Sequence, residues 1–291
     1  MLICHSERPL RAEELCQALA VEIESGNYTA DNVPSIRTVL SCCQGLVVKD
    51  EEGPTVRLIH FTLQEYLTSH LNLFQSPHAT IAETCLTYLN SRQVVDLSAS
   101  GHHNTQHMAF LEYSALYWGA HMKKESSTRG TSLAVEFFSH YERHISVKLL
   151  LEHTLGRNFI SSISGFSRFG GLHCASMFGV VEVVRALIGI GGVDINRVDD
   201  TGSTPLIWAA RNGHEQVVEL LLGQGGIDPN KPDHYRQTPI SHAAENGHAA
   251  VVELLLRRQD VHPSRQDIWG QTALSYASRR RDQLVAQWET T

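Results

Sequence analysis

Histidine and cysteine are the side chains of widest chemical reach in this chain, which holds 17 of the first and six of the second. His102, His103 and His107 stand close enough together to suggest a metal site. They lie in a Gly-, Asn- and Thr-rich stretch with no Cys or carboxylate to complete a tetrahedral set, so a solvated loop is the better reading and no metal is expected. Cys4, Cys16, Cys42, Cys43, Cys85 and Cys174 show no C-x-x-C spacing, and five of them stand in apolar helical contexts. Such surroundings keep a thiol protonated and inert, and buried reduced thiols fit these cysteines better than a disulfide framework. His60 alternates with Val56 and Leu58, the pattern of a half-buried strand histidine making a local hydrogen bond. No G-x-S-x-G elbow, H-E-x-x-H helix or G-x-x-x-x-G-K-[ST] loop occurs in the chain. Without backbone amides and a lysine to cradle phosphates, nucleotide hydrolysis has no machinery. The chain is therefore expected not to be an enzyme, and no cofactor is expected.

Composition agrees with a folded protein of ordinary kind. Of 291 residues, 42% are hydrophobic and 19% charged, and the net charge of −7 supplies no field that would draw nucleic acid or anionic lipid. No run reaches the ~18–20 apolar residues of a membrane span. The opening MLICHSERPL lacks the basic start and apolar stretch of a signal peptide. A cytoplasmic protein, bound neither to membrane nor to nucleic acid, is expected.

The elements that position these side chains are announced by a repeat. Leu172, Leu206, Ile240 and Leu274 fall 34 residues apart, as do Ala175, Ala209, Ala243 and Ala277, and the pairs Val183-Val184, Val217-Val218 and Val251-Val252 keep the same step. A fixed period of this size marks a solenoid whose units bury their apolar faces against one another. In T238-P-I-S-H-A-A-E-N-G-H-A-A-V-V-E-L-L-L256, Thr238 is placed to cap a first helix, Pro239 to open it and Gly247 to end it; Val251, Val252 and Leu254 to Leu256 load a second.

T204-P-L-I-W-A-A-R-N-G-H214 and T238-P-I-S-H-A-A-E-N-G-H248 resemble the ankyrin repeat, with weaker copies at Gly171–Gly179 and Thr272–Arg281. The family step is usually 33, and Gly191-Gly192 and Gly225-Gly226 suggest one extra residue in the connecting turn. His173 alone keeps the family's first-helix histidine; Ile207, Ser241 and Ser275 replace it, leaving the inter-repeat hydrogen bond of that histidine in question for three units. The resemblance implies a protein ligand bound at the concave surface, through hairpin tips and the exposed face of each first helix. Carried onto this chain, the tips are Asp200-Thr201, His234-Tyr235 and Ile268-Trp269, followed by Ser203, Gln237 and Gln271, and the helix positions are Arg211, Glu245 and Arg279. Trp269 is either an interface anchor or packed beneath its own hairpin.

Residues 6–90 read as helix, helix, hairpin, helix, helix. Leu15, Cys16 and Leu19 mark a first apolar face; Pro34 opens a helix carrying Ile36, Val39, Leu40 and Cys43, ended by Gly45. Strands 46–49 and 55–61 flank the turn 50–54. Thr62 and Glu65 form a capping box before Leu63, Tyr66, Leu67, His70 and Leu71, and Ser76-Pro77 starts another helix with Ile81, Cys85, Leu86 and Leu89. This is the order of a winged helix. Its would-be recognition helix offers one cation, Arg37, and its wing is acidic at Asp50, Glu51 and Glu52, which disfavours a DNA-binding regulator.

The stretch I36-R-T-V-L-S-C-C-Q-G-L-V-V48 with V56-R-L-I-H-F-T-L-Q-E-Y-L67 resembles the winged helix that follows a NACHT nucleotide-binding domain, most closely that of fungal NACHT–ankyrin proteins of the NOD-like receptor class. R8-P-L-R-A-E-E-L-C-Q-A-L-A-V21 resembles the segment before it. The resemblance implies that His60, where related receptors touch the ADP phosphate, would act as a nucleotide sensor with an external NACHT core as partner. The chain then looks like a fragment or a shortened gene product.

Between the two modules, S98–H107 and K123–T131 read as loops, Phe110, Leu111, Ala115 and Trp118 as one amphipathic helix, and 133–153 as another. The expected fold is mainly α: a winged helix with one small β-hairpin (1–90), a helical connector (91–160) and an ankyrin-repeat α-solenoid of about four units (161–291). The expected function is that of a non-catalytic protein–protein interaction scaffold, the regulatory end of a NOD-like receptor-type signalling protein. A subunit completing a nucleotide-dependent ATPase or GTPase switch through the winged helix, and a winged-helix DNA-binding regulator, are the alternatives from other classes.

Overall fold

The computed structural model describes residues 1–50, 53–70, 73–100, 107–139, 141, 144–146, 150 and 168–279. His102, His103, Glu51, Glu52 and Leu71 lie outside them. The chain divides into two units, 1–164 and 165–291. It is mainly helical, with two small two-stranded sheets among the described residues.

In the first unit a short helix α1 (Leu2–His5) leads to α2 (Ala12–Leu19), which buries Leu15, Cys16 and Ala18. Leu19, expected on that face, is exposed. The unexpected pair β1 (Val21–Glu22) and β2 (Asn27–Tyr28) follows, its turn closed by Gly26 at φ 67°. Two-residue strands have no alternation to read. Helix α3 (Ile36–Cys42) starts where Ser35 Oγ accepts the Thr38 amide at 3.1 Å. Of its four expected apolar positions only Val39 is buried, and Cys42 is exposed, against the expectation of an apolar setting.

The wing forms as predicted: β3 (Val47–Lys49) pairs antiparallel with β4 (Val56–Leu58), Val47 opposite Leu58. Residues 10–12 add to its free edge, where Val56 N donates to Leu10 O at 2.9 Å and Ala12 N to Pro54 O at 2.8 Å. Helix α4 (Phe61–Ser69) buries none of its residues, and Phe61 and Tyr66 are exposed. The proposed box of Thr62 and Glu65 does not form, because β4 stops at Leu58 and the helix begins two residues sooner, with His60 as its cap.

The core of this unit is α5 (Pro77–Asn90), opened by Ser76 in a left-handed conformation and Pro77 at the first position. Its Ile81, Cys85, Leu86 and Leu89 are fully buried. After α6 (Arg92–Ser100), which takes in the start of the supposed loop 98–107, come α7 (Ala109–Lys124) and α8 (Thr128–Phe138), both packed on α5. Phe110, Leu111, Ala115 and Trp118 of α7 are buried, as their spacing predicts. The loop expected over 123–131 shrinks to three residues because Ser127 Oγ caps α8 through the Gly130 amide at 2.8 Å.

The second unit repeats in space as in sequence. Its helix pairs are α9 (Gly171–Phe178) with α10 (Val181–Gly189), α11 (Pro205–Arg211) with α12 (Glu215–Leu222), and α13 (Pro239–Asn246) with α14 (Ala249–Leu256); a further helix covers 273–279. First helices stack on first helices and second on second. Ala175, Ala209 and Ala243 are fully buried where they meet, and Val183, Val217 and Val251 fill the seam between layers. Each buried Val or Leu side chain contributes roughly 1.5–3 kcal/mol. Leu274 is 75% exposed and Ala277 is exposed too, since among the described residues no later helix covers them. Thr204 caps α11 through the Ile207 amide at 3.2 Å, whereas Thr238 turns its hydroxyl to Ser241 and caps no amide.

Histidines still tie the units together. Nε2 of buried His173 lies 3.0 Å from Arg197 O. His214 and His248, at a different point of the repeat, donate from Nε2 to Met177 O at 2.8 Å and to Arg211 O at 3.0 Å in the preceding unit. A Cβ placed on Gly179 or Gly213 would lie 2.5 Å from these rings, so the glycines make room for the bonds as well as ending helices.

Candidate protein-binding surface

Three buried aspartates, Asp199, Asp233 and Asp267, build the hairpin tips between units. One oxygen of each accepts two backbone amides of its own turn: Oδ1 takes Thr201 and Ser203, Tyr235 and Gln237, or Trp269 and Gln271, all at 2.8–2.9 Å. The other oxygen accepts from a ring on the following helix: Trp208 Nε1 at 2.7 Å, His242 Nε2 at 2.9 Å and Tyr276 Oη at 2.5 Å. Burial disfavours the charged form of Asp267, but the Tyr276 hydroxyl and the two amides outweigh it and hold its carboxyl below the usual range. Burial first, then the bond to Asp267, pushes the Tyr276 phenol up to about 12. Sequence reading missed this buttress although its signal was present: 199, 233 and 267 keep the repeat step, as do 208, 242 and 276. Its ring partners change type at each repeat, which hides the shared hydrogen-bonding role.

Neighbouring tips join through their backbones, His234 N to Thr201 O and Ile268 N to Tyr235 O, each at 3.1 Å. Gly202, at φ 79°, stands at this junction: an added Cβ would lie 2.7 Å from His234 N, while Gly270, at φ 74°, has nothing within 4 Å. Gly202→Ala is expected to cost about 2–4 kcal/mol and Gly270→Ala about 1–2 kcal/mol, since only the first adds a clash to left-handed strain. Urea unfolding of both variants measures the difference; equal losses would show that contact between tips does not require the glycine.

On this frame the expected residues divide. His234, Tyr235, Ile268 and Trp269 are exposed and adjoining, and the Tyr235 and Trp269 rings stack at 5.5 Å and 18°. Trp269 is 58% exposed, so it does not pack beneath its own hairpin. Exposed Glu245 and Arg279 and half-buried Arg211 line the first helices in register, with Arg211 against the Trp208 ring and Arg279 against the Tyr276 ring. Ser203 and Gln237 are corrections: both are buried and serve the frame. Ser203 Oγ accepts from Thr201 Oγ1, and Gln237 Nε2 donates to Glu245 and to Tyr276 Oη. Asp200, Thr201 and Gln271 are half-buried and internally bonded, Asp200 accepting the Arg168 amide and Gln271 the Arg279 guanidinium.

In the first unit, His60 is exposed rather than half-buried. Its Nδ1 accepts the Thr62 amide at 3.2 Å and lies 2.8 Å from the Thr62 hydroxyl, so its local bond is a helix cap. No helix among the described residues is long and apolar enough to cross a membrane.

Comparison with known families agrees with this architecture. Residues 1–80 match the winged-helix domain of GPI inositol-deacylase. Residues 133–233 match a family model of three ankyrin repeats, and residues 224–277 match a second ankyrin-repeat model. A search of curated proteins gave no match. The chain thus carries a winged-helix domain followed by ankyrin repeats, and ankyrin repeats generally mediate binding to other proteins.

Proposed function

We propose that this chain is a non-catalytic scaffold that captures a protein ligand on its ankyrin hairpin tips, as the regulatory end of a NOD-like receptor-type signalling protein in the cytoplasm. The stacked, exposed Tyr235–Trp269 pair supports the first part. Two aromatic rings held in water by tips with buried buttresses lose little further conformational freedom on binding, which suits an interface anchor. The resemblance of the winged helix to that of NACHT proteins supports the second part.

Peptide-display selection against the full chain tests the proposal. Binders are expected to lose about 30-fold or more in affinity to Trp269→Ala, as a hot-spot aromatic worth about 2 kcal/mol or more would require. The exposed position makes the variant's stability close to that of the parent. Binders that tolerate Trp269→Ala and Tyr235→Ala equally well would place the docking surface elsewhere.

A further inference from the structure

Three donor side chains far apart in sequence meet inside the first unit. Glu7 follows α1, His78 stands in the first turn of α5 and His121 lies near the end of α7, with one ligand atom of each within 4.8 Å of the others. His78 Nδ1 and His121 Nδ1 are 2.8 Å apart, and His121 Nδ1 is 3.8 Å from Glu7 Oε1. We infer that Glu7, His78 and His121 bind a divalent transition-metal ion of the zinc type, independently of the ankyrin surface.

The donor set is that of a two-histidine, one-carboxylate site, which suits zinc. Nitrogen or oxygen ligands about 2.0–2.1 Å from a tetrahedral ion lie roughly 3.3 Å apart. The His78–His121 separation is about half an ångström shorter than that and the His121–Glu7 separation about half an ångström longer, with all three donors within 4.8 Å, so seating the ion requires Glu7 to close on the two rings. Both histidines are held neutral, as ligation requires. Burial lowers the pKa of His121 to about 4, and burial, then the nearby Lys124 ammonium, lowers that of His78.

The surroundings supply the outer contacts. Tyr113 Oη lies 2.9 Å from His121 Nε2, on the side away from His78. When His121 binds through Nδ1, its proton moves to Nε2 and Tyr113 Oη accepts it, the outer hydrogen bond that orients a ligating imidazole. Tyr113 is itself fixed by the Glu7 amide at 3.0 Å. His78 is placed by its own amide, which donates to Glu125 at 3.0 Å. Nε2 of His5 is buried without a hydrogen-bond partner among the described residues, and its ring centroid lies 5.6 Å from that of His78, which makes it a candidate for a fourth ligand. Lys124 Nζ, 2.7 Å from Glu7 Oε1, holds the cation's place on the carboxylate, and at half exposure it can return to water.

Titration of the untagged full chain with Zn²⁺ by calorimetry, and with Co²⁺ by visible absorption, tests this. The parent is expected to bind one equivalent and to give the intense absorption of tetrahedral Co²⁺. His78→Ala and Glu7→Gln, both at half-buried positions, are each expected to weaken binding tenfold or more with unchanged circular dichroism, while exposed His60→Ala binds as the parent does. Absence of stoichiometric binding by the parent would overturn the inference, as would either site variant binding within a few-fold of it. The Co²⁺ spectrum of the parent decides the matter even if a variant fails to fold.

Discussion

Asp233→Ala is expected to destabilise the ankyrin unit by about 3–5 kcal/mol, because three donors, two of them buried, lose their acceptor at once and each unsatisfied buried donor costs about 1–3 kcal/mol. The donors are the amides of Tyr235 and Gln237 and the Nε2 of His242, all within 2.9 Å of the carboxylate. Water reaches the carboxylate, the Gln237 amide and the ring poorly, since Asp233 is 7% exposed, Gln237 6% and His242 5%. Asp233→Asn keeps an oxygen for the two amides and offers an amide group to the ring, so a loss of about 1–2 kcal/mol is expected. Urea unfolding of the full chain, followed by circular dichroism, measures both. A loss under about 1 kcal/mol for the alanine variant would show that the tips hold their shape without the buttress.

Glu14→Ala is expected to cost the first unit a comparable amount, about 3–5 kcal/mol, by leaving two guanidinium groups without their shared carboxylate. Glu14 is fully buried, and its oxygens take Arg8 at 2.7 and 2.8 Å, the Arg11 side chain at 2.9 Å and the Arg11 amide at 2.7 Å. The last bond caps α2, so pairing and helix start fail together. Burial alone would raise the pKa of this carboxyl, but the bonds from Arg8 and Arg11 prevail and lower it. A depressed carboxylate pKa contributes stability above the unfolded value of about 4.3 and loses it as pH falls through the folded value. Parent stability is therefore expected to drop steeply below about pH 5, and Glu14→Gln to flatten that slope. Parallel pH profiles for the two proteins would refute the assignment.

Much of the second unit was legible in its residues. The apolar series at Ala175 and Val183, the proline at the start of α11 and α13, and the glycine after α13 all took their expected places. Contacts in a stack run to the next unit at a constant sequence distance, so packing leaves a periodic record. The exposed pair Tyr235 and Trp269 was legible for the same reason. Ser203 and Gln237 were misplaced because a tip residue's side chain turns inward or outward according to the bonds it finds: Ser203 meets Thr201 within its own tip, and Gln237 meets Glu245 and Tyr276 on the helices that follow.

In the first unit the order of helices and wing followed from apolar spacing, but the finer outcome did not. The His60 alternation with Val56 and Leu58 was real, yet β4 ended at Leu58 and the histidine became a cap. Helix α4 has an apolar pattern and no buried residue, because pattern states what a helix can bury and only a packed neighbour buries it. What the sequence determined alone is whatever repeats or alternates locally: helix positions, the wing, and the 34-residue stack. The tertiary structure decided the rest: the meeting of Glu7 with His78 and His121, and of each tip aspartate with a ring of changing kind. The first encounter depends on how helices cross in space, which leaves no fixed spacing along the chain; the second keeps a nine-residue spacing in all three tips, and only the change of ring hides it.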